Sequence, residues 1–156
     1  MPNQTQSIVL GAAVVAILST SYLGFINFLC CAGVIIGSMM AVWHYTSTHQ
    51  LTLLAGRGAL MGLIAAALGT FIAIFLNYAL IQLGIRHDLA FTQWMLSSFG
   101  DSMPPDQYDQ LVAQMEAPVT LMSQLTAGLV GVAVSAVFGA IGGAIGASAF
   151  KKGEDA

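Results

Sequence analysis

Residues 118–150 read PVTLMSQLTAGLVGVAVSAVFGAIGGAIGASAF, a run of 33 residues without Asp, Glu, Lys or Arg. A membrane-spanning helix needs about 20 predominantly apolar residues, so this run is long enough to cross a bilayer. Lys151 and Lys152 end it with positive charge. Pro118 suits a first helical turn, where its missing N–H removes no hydrogen bond. The run therefore predicts a membrane helix over residues 118–150.

The composition of the whole chain agrees with that prediction. Of the 156 residues, 57% are apolar and 7% are charged, whereas an average soluble domain has about 45–50% and about 25%. So few charged side chains cannot cover the surface of a soluble domain. The high apolar content also excludes a disordered chain, because disordered chains are poor in apolar residues. The net charge of -3 leaves no basic surface for nucleic acid. An integral membrane protein in contact with the lipid bilayer is the class that remains.

The N-terminal part of the chain contains a longer uncharged stretch, residues 8–45. It is too long for one span and predicts two, near residues 8–23 and 28–46, joined by a tight turn within residues 21–27. One very long helix is the alternative. No Lys or Arg precedes the stretch, so a cleaved signal peptide is not expected.

A third span is predicted over residues 58–85, directly after Arg57. A helix of this length measures about 42 Å. The hydrocarbon core of a bilayer is roughly 30 Å thick, so the helix should tilt or project beyond it.

The segment 86–117 breaks the apolar pattern, because it holds Arg86 and five of the seven acidic residues. Apolar residues recur in it at helical spacing on both sides of a Gly- and Pro-containing break. The pattern predicts two short amphipathic helices, over 88–99 and 105–116. Their apolar faces should rest on the membrane interface or on the helix bundle.

The distribution of Lys and Arg predicts the orientation of the chain. With four spans, Arg57, Lys151 and Lys152 share one side of the membrane, and Arg86 lies alone on the other. Positive residues favour the cytoplasmic side. Both termini are therefore predicted in the cytoplasm of a multi-pass cell-membrane protein, with segment 86–117 outside.

Small residues recur at every fourth position within the predicted spans, a spacing that lets helix backbones approach closely. Such rows pack either within the bundle of one chain or against a partner, as in a homo-oligomer or a complex with another membrane protein. The residues predicted to lie at helix contacts are Gly33, Gly37, Gly58, Gly62, Gly131, Ser135, Gly139 and Gly143.

No pattern of residues in the chain indicates catalysis, a cofactor or a metal. The nucleophile-elbow, zinc-protease and phosphate-loop motifs are absent, and the adjacent Cys30 and Cys31 suit helix packing better than a disulfide. We therefore expect a non-enzymatic structural or accessory protein without cofactors. The alternative is a small oligomeric channel or transporter, with a path lined by polar residues of the spans. The candidates for that path are Thr70, Asn77, Gln82 and Ser135.

The order of spans and links resembles that of a bacterial membrane family, domain of unknown function 4199. The matching stretches are LTLLAGRGA at residues 51–59, which leads into the third span, and EAP at 116–118, which leads into the fourth. The resemblance implies an all-α integral membrane bundle in one domain, 1–156, with four transmembrane helices and two short interfacial helices. It implies no activity and no functional residue. The single cation in the first predicted cytoplasmic loop, Arg57, departs from the family pattern.

Overall fold

The computed structural model describes residues 3–20, 31–85, 87–117 and 119–153, and the regular elements among them are helical. In chain order these are α1 (Thr5–Leu18), α2 (Ala32–His49), α3 (Ala55–Gln82), α4 (His87–Phe99), α5 (Pro105–Glu116) and α6 (Leu121–Ala149), with a 3₁₀ turn at Gly100–Ser102. The prediction of an all-α fold is confirmed. The predicted turn at 21–27, Cys30, Arg86 and Pro118 lie outside the described residues.

The first two helices lie antiparallel. A Cβ atom added at Gly11 of α1 would lie 2.5 Å from Cβ of Ala41 in α2, and one added at Gly37 would lie 2.5 Å from a methyl group of Val15. Earlier residues of α1 thus meet later residues of α2. The chain reverses direction between the two helices, which rules out the alternative of one very long helix.

The ends of α1 and α2 differ from the predicted spans by a few residues. The first helix begins at Thr5 and ends at Leu18, whereas the prediction was 8–23. The second begins after Cys31, whose backbone is left-handed (φ 56°), and ends before Gln50, which is also left-handed (φ 51°). Left-handed residues cannot continue a right-handed helix. These two residues therefore set the bounds that the prediction of 28–46 missed.

The contact between α3 and α6 is the most extensive in the chain. A Cβ added at Gly58 would lie 2.5 Å from Cβ of Ala147, and one added at Gly128 would meet the side chain of Ile74. Early residues of α3 thus face late residues of α6, and the two helices are antiparallel.

In contrast, α2 and α6 run parallel. A Cβ added at Gly142 would lie 2.8 Å from the carbonyl oxygen of Ile35, and one added at Gly146 would lie 3.2 Å from Cα of Met39. Directions therefore alternate through α1, α2, α3 and α6. This arrangement is an up-down-up-down four-helix bundle.

The bundle has one basic and one acidic end. The basic end holds the exposed residues Arg57, Lys151 and Lys152. There the hydroxyl group of Thr52, in the α2–α3 link, donates a 3.1 Å hydrogen bond to the carbonyl oxygen of Gly153. The acidic end is the connection from α3 to α6, with Asp101, Asp106, Asp109 and Glu116 among its described residues.

Helix α3 begins and ends three residues earlier than the predicted span 58–85. Its C-terminal cap explains the end. Gly84 adopts a left-handed conformation (φ 82°) and donates its N–H to the carbonyl oxygen of Ile81 at 3.0 Å. The N–H of Ile85 reaches back to the carbonyl oxygen of Leu80, also at 3.0 Å. These two bonds form a Schellman motif, which stops the helix.

Helix α6 begins at Leu121, three residues after the start of the predicted span 118–150, and Pro118 itself lies outside the described residues. The reason for this start is a capping box. The N–H of Ser123 donates to the hydroxyl oxygen of Thr120, and the N–H of Thr120 donates to the hydroxyl oxygen of Ser123, each at 3.2 Å. The pair satisfies two backbone donors that have no partner within the helix. At its other end the helix closes at Ala149, one residue before the predicted end.

The prediction of two short helices in the acidic connection is confirmed by α4 and α5, within one residue at each end. Among the described residues, their substantial contacts are with each other and with Gly100–Ser102, not with the four-helix bundle. Trp94 and Phe99 form an edge-to-face pair with ring centroids 6.0 Å apart, and both rings are more than half exposed. These two aromatic rings thus lie on the surface of the acidic connection.

The bundle buries small residues and exposes large apolar ones. Its interior consists mainly of Gly, Ala, Ser and Val, with Tyr45 and Met61 as the largest fully buried side chains. Helices α3 and α6 are long and apolar enough to cross a membrane, and 39% and 22% of their most apolar windows are buried. Helix α1 is apolar but has 14 residues. Two helices suited to crossing a membrane are therefore shown.

Candidate helix-packing site

Three helices meet closely at a junction formed by Ser38 of α2, Gly62 of α3 and Gly139 of α6. The Ser38 hydroxyl donates a 3.1 Å hydrogen bond to the carbonyl oxygen of Gly62. A Cβ added at Gly139 would lie 2.7 Å from that same carbonyl oxygen and 3.2 Å from the Ser38 hydroxyl oxygen. Real Cβ contacts are almost never shorter than 3.0 Å. Only glycine fits at position 139 in this packing.

The close approach of α3 and α6 continues one helical turn further toward the basic end. A Cβ added at Gly58 would lie 2.5 Å from the carbonyl oxygen of Gly143, and one at Gly62 would lie 2.8 Å from Cα of Gly143. The backbones thus touch over two turns with no side chain between them. Dispersion and weak Cα–H···O contacts are individually small, but they repeat at each turn of such a seam.

A second row on α6 faces α2. Gly142 meets the backbone of Ile35, and Gly146 meets Met39 and Val42. One helix therefore presents glycine to two neighbours at once. The double row of glycines at 139, 142, 143 and 146 makes α6 the common partner of α2 and α3.

Helix α1 joins the bundle through glycines that the spacing argument did not single out. Gly11 faces α2, and Gly69 of α3 would place a Cβ 2.6 Å from the carbonyl oxygen of Ala12. The sequence could have indicated the contact at Gly11, because Ser7 and Gly11 are small residues four positions apart. Gly69 follows Ala65 by the same interval.

The eight residues predicted to lie at helix contacts differ in how closely another helix approaches them. Gly37 meets Val15, while Gly33 and Ser135 are buried. Gly131 differs, because a Cβ added there would lie within 4 Å of no atom that the described part of the chain brings from outside its own turn of helix. At the nearby Gly128 level the neighbour on α3 is the bulky side chain of Ile74. The seam thus opens from the basic end toward the acidic end, and Gly131 lies where it is open.

Two buried hydroxyl groups of the bundle, those of Ser7 and Ser38, make hydrogen bonds to another helix. The hydroxyl oxygen of Ser7, which is 1% exposed, lies 2.8 Å from Nδ1 of His44, a hydrogen bond between α1 and α2. The ring of His49 packs edge-on against Tyr45, with centroids 4.9 Å apart. The Ser7–His44 bond thus joins the end of α2 to the start of α1, whereas the Tyr45–His49 contact lies within α2.

The four residues considered for a polar path differ in burial. Ser135 is buried, Thr70 and Asn77 are half-buried, and Gln82 is exposed at the end of α3. The Thr70 hydroxyl oxygen is inaccessible and has no hydrogen-bond partner. The glycine seam leaves no space between α3 and α6 at the level of Gly62 and Gly139.

Across the described part of the chain, no group of three or more His, Cys, Asp or Glu side chains is arranged to hold a metal ion. Comparison with protein-family models, curated proteins and solved structures gives no match.

Proposed function

We propose that this chain is a multi-pass integral membrane protein in which all four bundle helices cross the lipid bilayer. The supporting observation is the apolar outer surface of the bundle. On α6 alone, Leu129, Val130 and Val137 are each more than 60% exposed. A soluble monomer rarely exposes a large continuous apolar patch, whereas lipid tails cover such a surface without cost.

The lengths of the helices add a physical requirement to this proposal. Helices α3 and α6 measure about 42 Å and 44 Å, while α1 and α2 measure about 21 Å and 27 Å. A short helix is accommodated by local thinning of the bilayer, and a long one by tilt or projection. We place the basic end in the cytoplasm, because Arg57, Lys151 and Lys152 lie together there. The α4–α5 pair then rests on the outer membrane interface.

The role that best suits this architecture is structural or accessory and non-enzymatic. The closely packed glycines and the buried Ser38–Gly62 hydrogen bond lie at contacts between helices of the same chain. Its outer surface is left for lipid and for other membrane proteins. The resemblance to the family with domain of unknown function 4199 stays a prediction and adds no activity.

Two measurements test the proposal. The protein should stay with the membrane fraction during alkaline carbonate extraction, and release into the supernatant would contradict membrane integration. Extraction in native-lipid particles, followed by mass measurement of the intact complex, should then show the chain bound to a defined membrane-protein partner.

A closed homo-oligomer that conducts ions in liposomes would instead support the channel or transporter alternative. The observation in favour of that alternative is the unpartnered Thr70 hydroxyl. Thr70→Val keeps the shape of the side chain and removes the hydroxyl group. It should change ion flux only if that group lines a path.

A further inference from the structure

An apolar groove lies on the outer side of α2, at the basic end of the bundle. Its walls are the side chains of Ile36, Met39, Met40, Trp43 and Phe150, and its volume is about 390 Å³. Ile36 and Trp43 are two turns apart, so the groove extends for about 10 Å along the helix. Every wall is apolar, which suits a hydrocarbon chain and offers nothing to a polar ligand.

Two lysines are held beside this groove. Phe150 forms one wall of the groove. Its backbone is fixed to the end of α6, because its N–H donates a 2.9 Å hydrogen bond to the carbonyl oxygen of Gly146. Gly153 is held in turn by the hydrogen bond from Thr52. Lys151 and Lys152 lie between these two anchored residues and are exposed. Successive Cα atoms are 3.8 Å apart, so both ammonium groups lie within a side chain's reach of the groove wall.

The positive charge at the basic end of the bundle favours a ligand with an anionic headgroup. Arg57, Lys151 and Lys152 are the charged residues described there, and all three are positive. Glu154 and Asp155 follow in the sequence, outside the described residues. Basic groups next to apolar grooves on the cytoplasmic side of a membrane attract anionic lipid headgroups.

The composition of the walls also suits a lipid. Trp43 is 43% exposed, and tryptophan favours the boundary between hydrocarbon and headgroups. Ile36 lies deeper along the helix, at the level of the acyl chains. Met39 and Met40 are flexible side chains that adapt to an irregular chain.

On the basis of the proposed membrane embedding, we propose that this groove is a binding site for an anionic phospholipid. One acyl chain lies along Ile36, Met40 and Trp43, and the headgroup phosphate pairs with Lys151 and Lys152.

The two tryptophans of the chain make the site directly measurable. Trp94→Phe leaves Trp43 as the only tryptophan, in the groove, and Trp43→Phe leaves Trp94 in α4 as the matched control. Each variant is placed in lipid particles containing phosphatidylglycerol or phosphatidylcholine with brominated acyl chains, because bromine quenches tryptophan fluorescence on contact.

We expect brominated phosphatidylglycerol to half-quench Trp43 at a mole fraction roughly fivefold lower than brominated phosphatidylcholine. The double substitution Lys151→Gln and Lys152→Gln should bring the two lipids to the same value. Trp94, in the acidic connection, should show no preference for the anionic lipid.

Equal quenching of Trp43 by both lipids would overturn the lipid site and leave the membrane embedding intact. A preference that survives the double lysine substitution would also overturn it. If neither brominated lipid quenched either tryptophan, the embedding itself would fail, and the lipid site with it.

Discussion

The hydroxyl group of Ser38 and the carbonyl oxygen of Gly62 are joined by a 3.1 Å hydrogen bond at the level where Gly139 touches both residues. The bond links α2 to α3 at a point that is closed to solvent, since Ser38 is 0% exposed. The junction therefore combines a close backbone approach with a buried polar link.

Removing that link should weaken the bundle modestly. Ser38→Ala keeps the packing and deletes the hydrogen bond, and interhelical hydrogen bonds in membranes contribute about 0.6 kcal/mol on average. We expect a loss of about 1 kcal/mol in the free energy of unfolding, measured by denaturant titration in detergent. Ser148→Ala is the matched control, because the Ser148 hydroxyl donates only within its own helix, to the carbonyl oxygen of Ala144. A larger loss from the control than from Ser38→Ala would contradict the role of the junction.

Substitution within the glycine seam should be far more damaging. Gly139→Leu places a side chain where a Cβ alone already collides with Ala66, and overpacking costs about 1–3 kcal/mol or more. We expect loss of the folded monomer in detergent, measured by thermal unfolding and gel filtration. If Gly139→Leu left the monomer folded but abolished an oligomer, the seam would face a partner and not its own bundle.

The matched control for this experiment lies on the same helix. Gly131→Leu introduces the same side chain at a position with open space, so it should change stability by no more than about 0.5 kcal/mol. Leu129→Ala, on an exposed part of α6, should be similarly mild. Equal damage from Gly131→Leu and Gly139→Leu would show that the closeness of the seam is not what matters.

The two ends of the bundle should lie on opposite sides of the membrane. A reporter active only in the cytoplasm should work when fused after Ala156, and a reporter active only outside should work when inserted within residues 100–106. The reason is the grouping of Arg57, Lys151 and Lys152 at one end. An externally active C-terminal fusion would contradict the orientation.

The exposed ring of Trp94 should be covered by lipid. In the Trp43→Phe variant, Trp94 should show blue-shifted fluorescence and weak quenching by aqueous iodide, because an amphipathic helix buries its apolar face in the interface. The comparison is the same variant unfolded in denaturant, where iodide should quench fully. Emission typical of water in the membrane-bound protein would show that α4 stands clear of the interface.

Much of the local structure was open to prediction from the chain. The helices of the acidic connection lie within one residue of their predicted bounds, because Pro104, Pro105 and the spacing of apolar residues mark them. The end of α3 had its signal in Gly84, and the start of α6 in Thr120 and Ser123. These caps are formed by residues close together in the sequence, so the local sequence is enough to indicate where each helix begins or ends.

The packing partners of the small residues were not open to prediction in the same way. Gly131, Ser135, Gly139 and Gly143 share one spacing along α6, yet a Cβ is excluded at Gly139 and accommodated at Gly131. The difference arises on α3, where Gly58 and Gly62 allow backbone contact and Ile74 keeps the helices apart. Periodicity reports which residues share a face of one helix, because that depends on local geometry alone. Which part of the face is closed depends on the side chains that another helix brings to the same level, and only the tertiary structure decides that.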